Sequence, residues 1–131
     1  MSSPSLVLTK DQQQVLNAGF LAEFGRKPER YFSAPGRTEI GGNHTDHQRG
    51  RVLAAAVNLD TQAAVAVNGT REVRILSKGY PLCVVSLDTL VPQQAEINTT
   101  PALVRGVCAR FAQLGCPVEG FDAYCESTVL P

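Results

Sequence analysis

A glycine-rich polar segment separates the apolar stretches of this chain between residues 34 and 50. Its sequence, APGRTEIGGNHTDHQRG, mixes charged, amide and imidazole side chains with glycines. Such a mixture follows neither the helical nor the strand period, so it contributes little to a hydrophobic core. A solvated surface loop is the simplest interpretation, but the density of polar, titratable side chains favours a site for a small polar ligand.

Two helices are predicted outside this segment. The first covers residues 10–24, because Thr9 and Gln12 form a capping box and Gly25 stands where a C-terminal cap belongs. The second begins at Thr100-Pro101 and ends before Gly115. It is expected to have one apolar face, formed by Leu103, Val104, Val107, Cys108, Phe111 and Leu114.

The remaining regular segments are predicted as strands. They are residues 30–34, 52–57, 63–67, 72–76, 82–87 and 121–129. The pair Asn68-Gly69 predicts a tight hairpin between the third and the fourth of them. In the last strand apolar and polar residues alternate, which predicts one buried face. Because an uncovered strand edge invites pairing with another chain, self-association through this exposed C-terminal strand is expected.

The composition is that of a single globular domain of mixed α/β type. The chain has 131 residues, 44% of them hydrophobic, and its 12 basic and 12 acidic residues cancel. This balance gives no support to a nucleic-acid or anionic-membrane partner. The four cysteines lack metal-ligand spacing and suit free thiols in a reducing cytosol. With no signal-peptide pattern and no apolar run long enough to cross a bilayer, the expected location is the cytoplasm.

The chemistry of the polar segment suits a neutral sugar. Sugar hydroxyls both donate and accept hydrogen bonds, so their site needs carboxylate or amide acceptors beside imidazole or amide donors. Asn43, His44 and Asp46 supply this mixture within four residues, and Gly41 and Gly42 let the backbone approach a ligand closely. Arg37 could stabilise negative charge that develops as a phosphate is transferred.

A metal site is the alternative use of the same residues. His44, Asp46 and His47 are all possible ligands, but their spacing fits no established zinc pattern and no cysteine lies near them in the sequence. No metal site is therefore predicted. His47 alone is interpreted as a surface or hydrogen-bonded histidine.

The segment resembles the N-terminal signature of the galactokinases, which belong to the GHMP family of small-molecule kinases. Residues 34–37, Ala-Pro-Gly-Arg, are followed in the family's register by residues 42–46, Gly-Asn-His-Thr-Asp. The apolar stretch after the signature resembles the family's next two strands. Two departures stand out: Asn43 replaces the usual glutamate, and His47 replaces the usual tyrosine. The exact sugar preference is therefore open.

The resemblance implies a fold and an activity. The fold is the α+β N-terminal domain of GHMP kinases, similar to the second domain of ribosomal protein S5, with a mixed sheet and helices on one face. The activity is transfer of the γ-phosphate of ATP to the C1 hydroxyl of galactose, with Mg²⁺. By the same resemblance, Asn43, His44 and Asp46 bind the sugar and Arg37 assists catalysis. Ser77 is placed near the adenine by a weak alignment.

The resemblance also implies that parts of a complete kinase are absent from these residues. The family's phosphate-binding loop, Pro-x-x-x-Gly-Leu-Ser-Ser-Ser, would begin where this sequence ends, and no other glycine-rich phosphate loop occurs in it. Residues 1–131 are thus expected to form an N-terminal kinase domain that is inactive alone. Two alternatives stay open: a non-catalytic galactose-binding or sensor protein, and a truncation completed by a separate chain. Nucleotide binding would distinguish the kinase from both.

Overall fold

The computed structural model describes residues 8–42 and 49–129, which form two α-helices and five strands. Neither helix in this described part is long and apolar enough to cross a membrane. A single turn of 3-10 helix, Gln94–Glu96, precedes the second α-helix. In chain order the elements are α1 (Lys10–Phe24), β1 (Arg30–Gly41), β2 (Leu53–Val67), β3 (Glu72–Ser77), β4 (Cys83–Ser86), α2 (Thr100–Gln113) and β5 (Phe121–Ser127).

The five strands form one mixed sheet in the order β1-β2-β5-β3-β4. β5 runs antiparallel to β2 and parallel to β3, while β1–β2 and β3–β4 are antiparallel pairs. The predicted hairpin across Asn68-Gly69 is therefore wrong, because β5 lies between the two strands that it would join. Gly69 does have a left-handed φ of 66°. The residue types at Asn68-Gly69 thus predicted the turn conformation correctly. They could not predict which strands pair, because β5, which lies far away in the sequence, is inserted between β2 and β3.

The central position of β5 also removes the basis for the predicted self-association. This strand bonds β2 on one side and β3 on the other, so it presents no free edge. The edges of the described sheet are β1 and β4. Both faces of β5 are covered, since Asp122, Ala123 and Tyr124 are consecutive and all buried. The prediction of one buried face was wrong for this strand.

The two helices pack on opposite faces of the sheet. Leu16 and Phe20 of α1 pack with Tyr124, whereas Cys108 of α2 packs in a second core cluster that includes Phe121. Tyr124 and Phe121 are three residues apart on β5, so their side chains point to opposite sides of the strand. The predicted placement of the helices on one face is corrected accordingly. Covering both faces of β5 is what requires this arrangement.

The first helix has the predicted bounds and caps. Thr9 and Gln12 make the reciprocal bonds of the capping box, and Gly25 closes the helix with φ 68°. Gly19 lies where the helix meets the sheet: a Cβ on this residue would fall 2.2 Å from the ring of Tyr124. The absence of a side chain at Gly19 is what allows α1 to approach β5 so closely.

The hydrogen bonds of one arginine help to hold the second helix to the rest of the domain. Most of its predicted apolar face is not buried. Its buried residues are Arg105 and Cys108, whereas Leu103 is 71% exposed. The Arg105 guanidinium donates to both carboxylate oxygens of Glu96, at 2.9 and 2.8 Å, and to the backbone oxygens of Ser86 and Thr89. The guanidinium holds the pKa of the Glu96 carboxyl below its usual value. Of the predicted face, four residues are exposed: Leu103, Val107, Phe111 and Leu114.

A buried carboxylate connects the end of α1 to the sheet. Asp122 is 0% exposed and accepts hydrogen bonds from Arg26 at 2.8 Å, from Asn68 at 2.9 Å and from Arg74 at 2.7 and 2.8 Å. Burial raises the pKa of this carboxyl, but the donated bonds outweigh it and the pKa is lowered overall. The arginines also lie over aromatic rings of α1, Arg26 over Phe20 and Arg74 over Phe24.

Candidate functional site

The first half of β2 and the second half of β1 project beyond the sheet as a two-stranded arm. Residues 61–65 of β2 pair with both β1 and β5, and residues 66 and 67 pair with β5. Within the described part of the chain, residues 53–56 pair with β1 alone. The register shifts where the arm begins: β1 advances from Pro35 to Arg37 while β2 moves from Asp60 to Ala56. We define the arm as residues 37–41 and 53–56. It lies within the polar segment and the strand that follows it.

The end of the arm requires a glycine. Gly42 has a left-handed φ of 84°, and a Cβ there would lie 2.2 Å from the carbonyl oxygen of Arg51. Any other residue would therefore be strained at this position and would collide with the opposite strand's backbone. The sequence predicted close approach of the backbone here, but towards a ligand rather than towards the chain itself.

All three predicted sugar-binding residues, Asn43, His44 and Asp46, lie outside the described residues, and so does the predicted surface histidine His47. The segment that contains them joins Gly42 to Arg49 in the sequence, so it is covalently tied to both strands of the arm. Their roles stay predictions. The arm is the part of the described sheet that is nearest to them in the sequence.

Arg37 lies on the arm and is open to solvent. Its Nη2 lies 3.1 Å from Oε1 of Glu39, two residues along the same strand, and the Arg37 side chain is 68% exposed. An exposed pair of this kind is worth less than about 1 kcal/mol. The guanidinium can therefore leave Glu39 at little cost and bind a ligand anion instead.

Asp60 is a candidate that the sequence analysis missed. Its Oδ2 accepts from the Ser33 hydroxyl at 2.6 Å, and both of its carboxylate oxygens accept from the Gln62 amide at 3.1 Å. Its backbone N–H donates to Thr128 Oγ1 at 3.0 Å, and its carbonyl accepts from the Thr128 N–H at 2.9 Å. One residue thus links β1, β2 and the residue after β5. The signal that could have identified it is that Asp60 is the one charged residue in the sequence of β2.

A groove opens on the face of the sheet that α2 covers, between the start of that helix, the end of β3 and the start of β4. Its volume is 660 Å³, and Ser77 at the end of β3 borders it. Its apolar wall consists of Ile75, Tyr80, Pro81, Leu82, Cys83 and Pro101, and its polar lining of Thr61, Ser77, Asn98, Thr99, Thr100 and Ser127. Flat apolar surfaces beside a few hydroxyl and amide groups suit a heterocyclic ring.

A second cavity of 470 Å³ also includes Ser77 and Tyr80 and adds Lys78 and Glu126. The Lys78 ammonium lies 3.3 Å from the Glu126 carboxylate, which also accepts the Tyr124 hydroxyl at 2.9 Å. Burial, and then the bond to Glu126, raises the pKa of Tyr124. Burial raises the pKa of the neighbouring Cys125 thiol as well, so this thiol is not an activated nucleophile.

The structure places Arg37 and Ser77 on strands that are separated by β2 and β5. Arg37 pairs with Ala56 on the arm, whereas Ser77 pairs with Cys125 at the far side of β5. The two predicted residues therefore belong to different surfaces of the described chain, one on the arm and one at the groove.

Comparison with known proteins identifies the relationship. A family model described as the galactokinase galactose-binding signature matches residues 18–67. A galactokinase of Streptococcus mutans is 31% identical over 117 residues, which is 86% of this chain and 30% of that protein. A galactokinase of Bacillus subtilis is 34% identical over 115 residues, which is 84% of this chain and 29% of that protein. The chain is a relative of the galactokinases.

Solved structures confirm the fold of this galactokinase relative. The crystal structure of Lactococcus lactis galactokinase complexed with galactose matches 89% of the chain and 31% of its own length, with a TM-score of 0.74 and 23% identity. Methanococcus jannaschii mevalonate kinase matches 77% of the chain, with a TM-score of 0.58 and 12% identity. The predicted GHMP kinase fold and mixed sheet are thus confirmed.

The galactokinase relative spans only part of the proteins that it matches, about 30% of the length of the Streptococcus and Bacillus proteins. These matches are consistent with the predicted correspondence to an N-terminal portion. The resemblance deduced from the sequence motif is confirmed, while the roles of Arg37, Asn43, His44, Asp46 and Ser77 stay predictions.

Proposed function

We propose that this chain contributes the galactose-binding part of a galactokinase-type sugar kinase. The complete protein would transfer the γ-phosphate of ATP to the C1 hydroxyl of galactose in the cytoplasm. The observation that carries the proposal is the extent of the matched signature, residues 18–67. It includes β1, the arm and Asn43, His44 and Asp46, and it ends at the last residue of β2. A Lactococcus lactis relative was crystallised with galactose, which supports the same ligand.

The residues of the signature fit the recognition of a neutral sugar. Asp46 offers two acceptor oxygens, His44 offers a ring donor or acceptor, and Asn43 offers both an amide donor and an amide acceptor. Asn43 stands where galactokinases usually carry glutamate, so it would bind a hydroxyl without a negative charge. Arg37 is exposed and weakly paired, which suits a residue that stabilises the charge of a transferring phosphoryl group.

ATP is proposed to bind at the groove beside Ser77. Its apolar wall, with Ile75 and Leu82, would cover the adenine, and the Ser77 hydroxyl would bond the ring edge. Mg²⁺ would accompany the nucleotide phosphates and neutralise part of their charge. No ligand for this ion is assigned, since residues 8–42 and 49–129 contain no cluster of three acidic, histidine or cysteine side chains.

A non-catalytic galactose-binding or sensor protein is the second candidate. It is favoured by one observation: these 131 residues contain no glycine-rich phosphate loop. Phosphoryl transfer depends on positioning and on electrostatic stabilisation of the phosphates, which such a loop provides. We therefore expect no ADP release from galactose and MgATP by these residues alone. Turnover near 1 s⁻¹, in the usual kinase range, would contradict that expectation.

Galactose titration by calorimetry tests the proposed site directly. Asp46→Ala should weaken galactose binding by about ten- to a hundredfold, because charge-assisted bonds to hydroxyls are worth about 1.5–3 kcal/mol each. The matched control is Asp88→Ala, whose carboxylate lies in an exposed ion pair with Arg71. A variant that binds galactose normally but melts far below the wild type would show that Asp46 is a structural residue. Wild-type protein that binds no galactose would refute the proposal.

A further inference from the structure

Both strands of the arm continue into the sheet, β1 through Gly36 and β2 through residues 57–60, and Asp60 is where β2 enters the sheet. On the sheet side, Thr61 is the first residue of β2 that pairs with β5, and its hydroxyl lies 2.9 Å from that of Ser127. On the arm side, residues 53–56 have β1 as their partner strand. Asp60 therefore stands at the boundary where a strand with two neighbours becomes a strand with one. The direction in which the arm leaves the sheet is set at this boundary.

Three segments are tied together by the bonds of Asp60. Its side chain holds Ser33 of β1, and its backbone makes two-way bonds with Thr128 just after β5. Both carboxylate oxygens also accept a hydrogen bond from the side-chain amide of Gln62, which lies two residues further into the sheet on β2. All of these donors are neutral, so the carboxylate acts by fixing geometry and not by pairing with a cation.

From this arrangement we propose that Asp60 is a positioning residue for the sugar site. It sets the orientation of the arm, and through the arm it positions Arg37 and Gly42, the described residue from which the proposed sugar-binding segment continues in the sequence. This inference rests on the proposed function, because it takes Asn43, His44 and Asp46 as the sugar contacts. Asp60 itself is assigned no contact with the sugar.

The expected effect follows from the fraction of molecules whose arm is correctly oriented. If loss of the carboxylate reduces that fraction to about one tenth, the apparent dissociation constant for galactose rises about tenfold. Asp60→Ala should show this rise. Asp60→Asn should stay within about threefold of the wild type, because its amide oxygen can accept from Ser33 and its NH₂ can donate to a reoriented Gln62. Asp88→Ala serves as the control carboxylate and should bind galactose like the wild type.

Amide hydrogen exchange gives a measurement that is independent of galactose. In Asp60→Ala the amides of residues 37–41 and 53–56 should exchange about tenfold faster, while those of residues 62–67 keep the wild-type rate. Should this variant fail to fold, Ser33→Ala, which removes a single bond, replaces it and should speed exchange in the same two segments by a smaller factor.

The two measurements separate the possible outcomes. Unchanged galactose affinity and unchanged arm exchange in the folded Asp60→Ala protein would overturn the inference. If Asp60→Asn lowered galactose affinity as much as Asp60→Ala, while amide exchange in the arm stayed normal, Asp60 would be a direct sugar ligand. That result would also overturn the inference. Faster arm exchange in a protein whose wild type binds no galactose would refute the proposed function while leaving the structural role of Asp60 intact.

Discussion

Replacing Asp122 with Asn should destabilise the fold strongly although the two side chains have almost the same shape. Asp122 is fully buried, and its carboxylate receives three bonds from Arg26 and Arg74 and one from Asn68. Breaking a buried ion pair typically costs about 3–5 kcal/mol. The arginine side chains are 36% and 37% exposed, so they can regain some hydration and the lower end applies. We expect a loss of about 3 kcal/mol.

That loss is large beside the total stability of a domain of this size, which is about 5–15 kcal/mol. It corresponds to a fall in melting temperature of about 10 °C in a thermal denaturation followed by circular dichroism. The control is Asp88→Asn, whose carboxylate is 71% exposed and pairs with an exposed Arg71. That change should cost less than about 1 kcal/mol. Equal melting temperatures for the two variants would refute the reasoning.

The pH dependence provides a second check. Because the folded protein lowers the pKa of Asp122, the stabilisation is complete above the unfolded pKa of about 3.9 and is lost as the pH falls below it. Asparagine does not titrate. The difference in stability between wild type and Asp122→Asn should therefore be constant near neutral pH and should narrow below about pH 4. If the difference in stability between the two proteins stayed unchanged down to pH 3, the negative charge of Asp122 would not be what stabilises the fold.

Two further substitutions test the arm. Gly42→Ala should cost about 1–3 kcal/mol through its left-handed φ and its collision with the Arg51 carbonyl, whereas Gly41→Ala, whose Cβ would meet open space, should be nearly neutral in the same melting experiment. Arg37→Ala should change stability by less than about 1 kcal/mol, because its pair with Glu39 is exposed, yet it should lower phosphoryl transfer in the complete protein about 10²- to 10³-fold. Normal turnover by that variant would remove Arg37 from the catalytic machinery.

Local signals in the sequence predicted the first helix to the residue, because the capping box at Thr9 and the left-handed Gly25 are both decided by near neighbours. β2 was different. Residues 52–57 and 63–67 were predicted as two separate strands, but the structure has one strand from Leu53 to Val67. Asp60 is accommodated because partners from β1 and from the residue after β5 satisfy it. Those partners are distant in sequence, so no periodicity could predict them.

The candidate site divides in the same way. The motif at residues 34–46 was sufficient to identify the family, since residue types and spacing are carried by the sequence itself. The arm, the register shift at Pro35 and the groove beside Ser77 arise only when strands from different parts of the chain pair. The opposite placement of the two helices was missed for the same reason, because it depends on which residues of β5 face each side.

The position of β5 has a consequence for how this domain assembles during synthesis. β1–β2 and β3–β4 are local antiparallel pairs, but they are joined into one sheet only through β5, the last of these five strands to emerge from the ribosome. The contact between Thr61 and Ser127 spans 66 residues, and the parallel pairing with β3 must wait for the crossover through α2. Until then two separate ribbons each expose a strand edge, and the carboxylate that will neutralise Arg26 and Arg74 has not yet been made. The five-stranded sheet therefore cannot be completed until β5 has been synthesised.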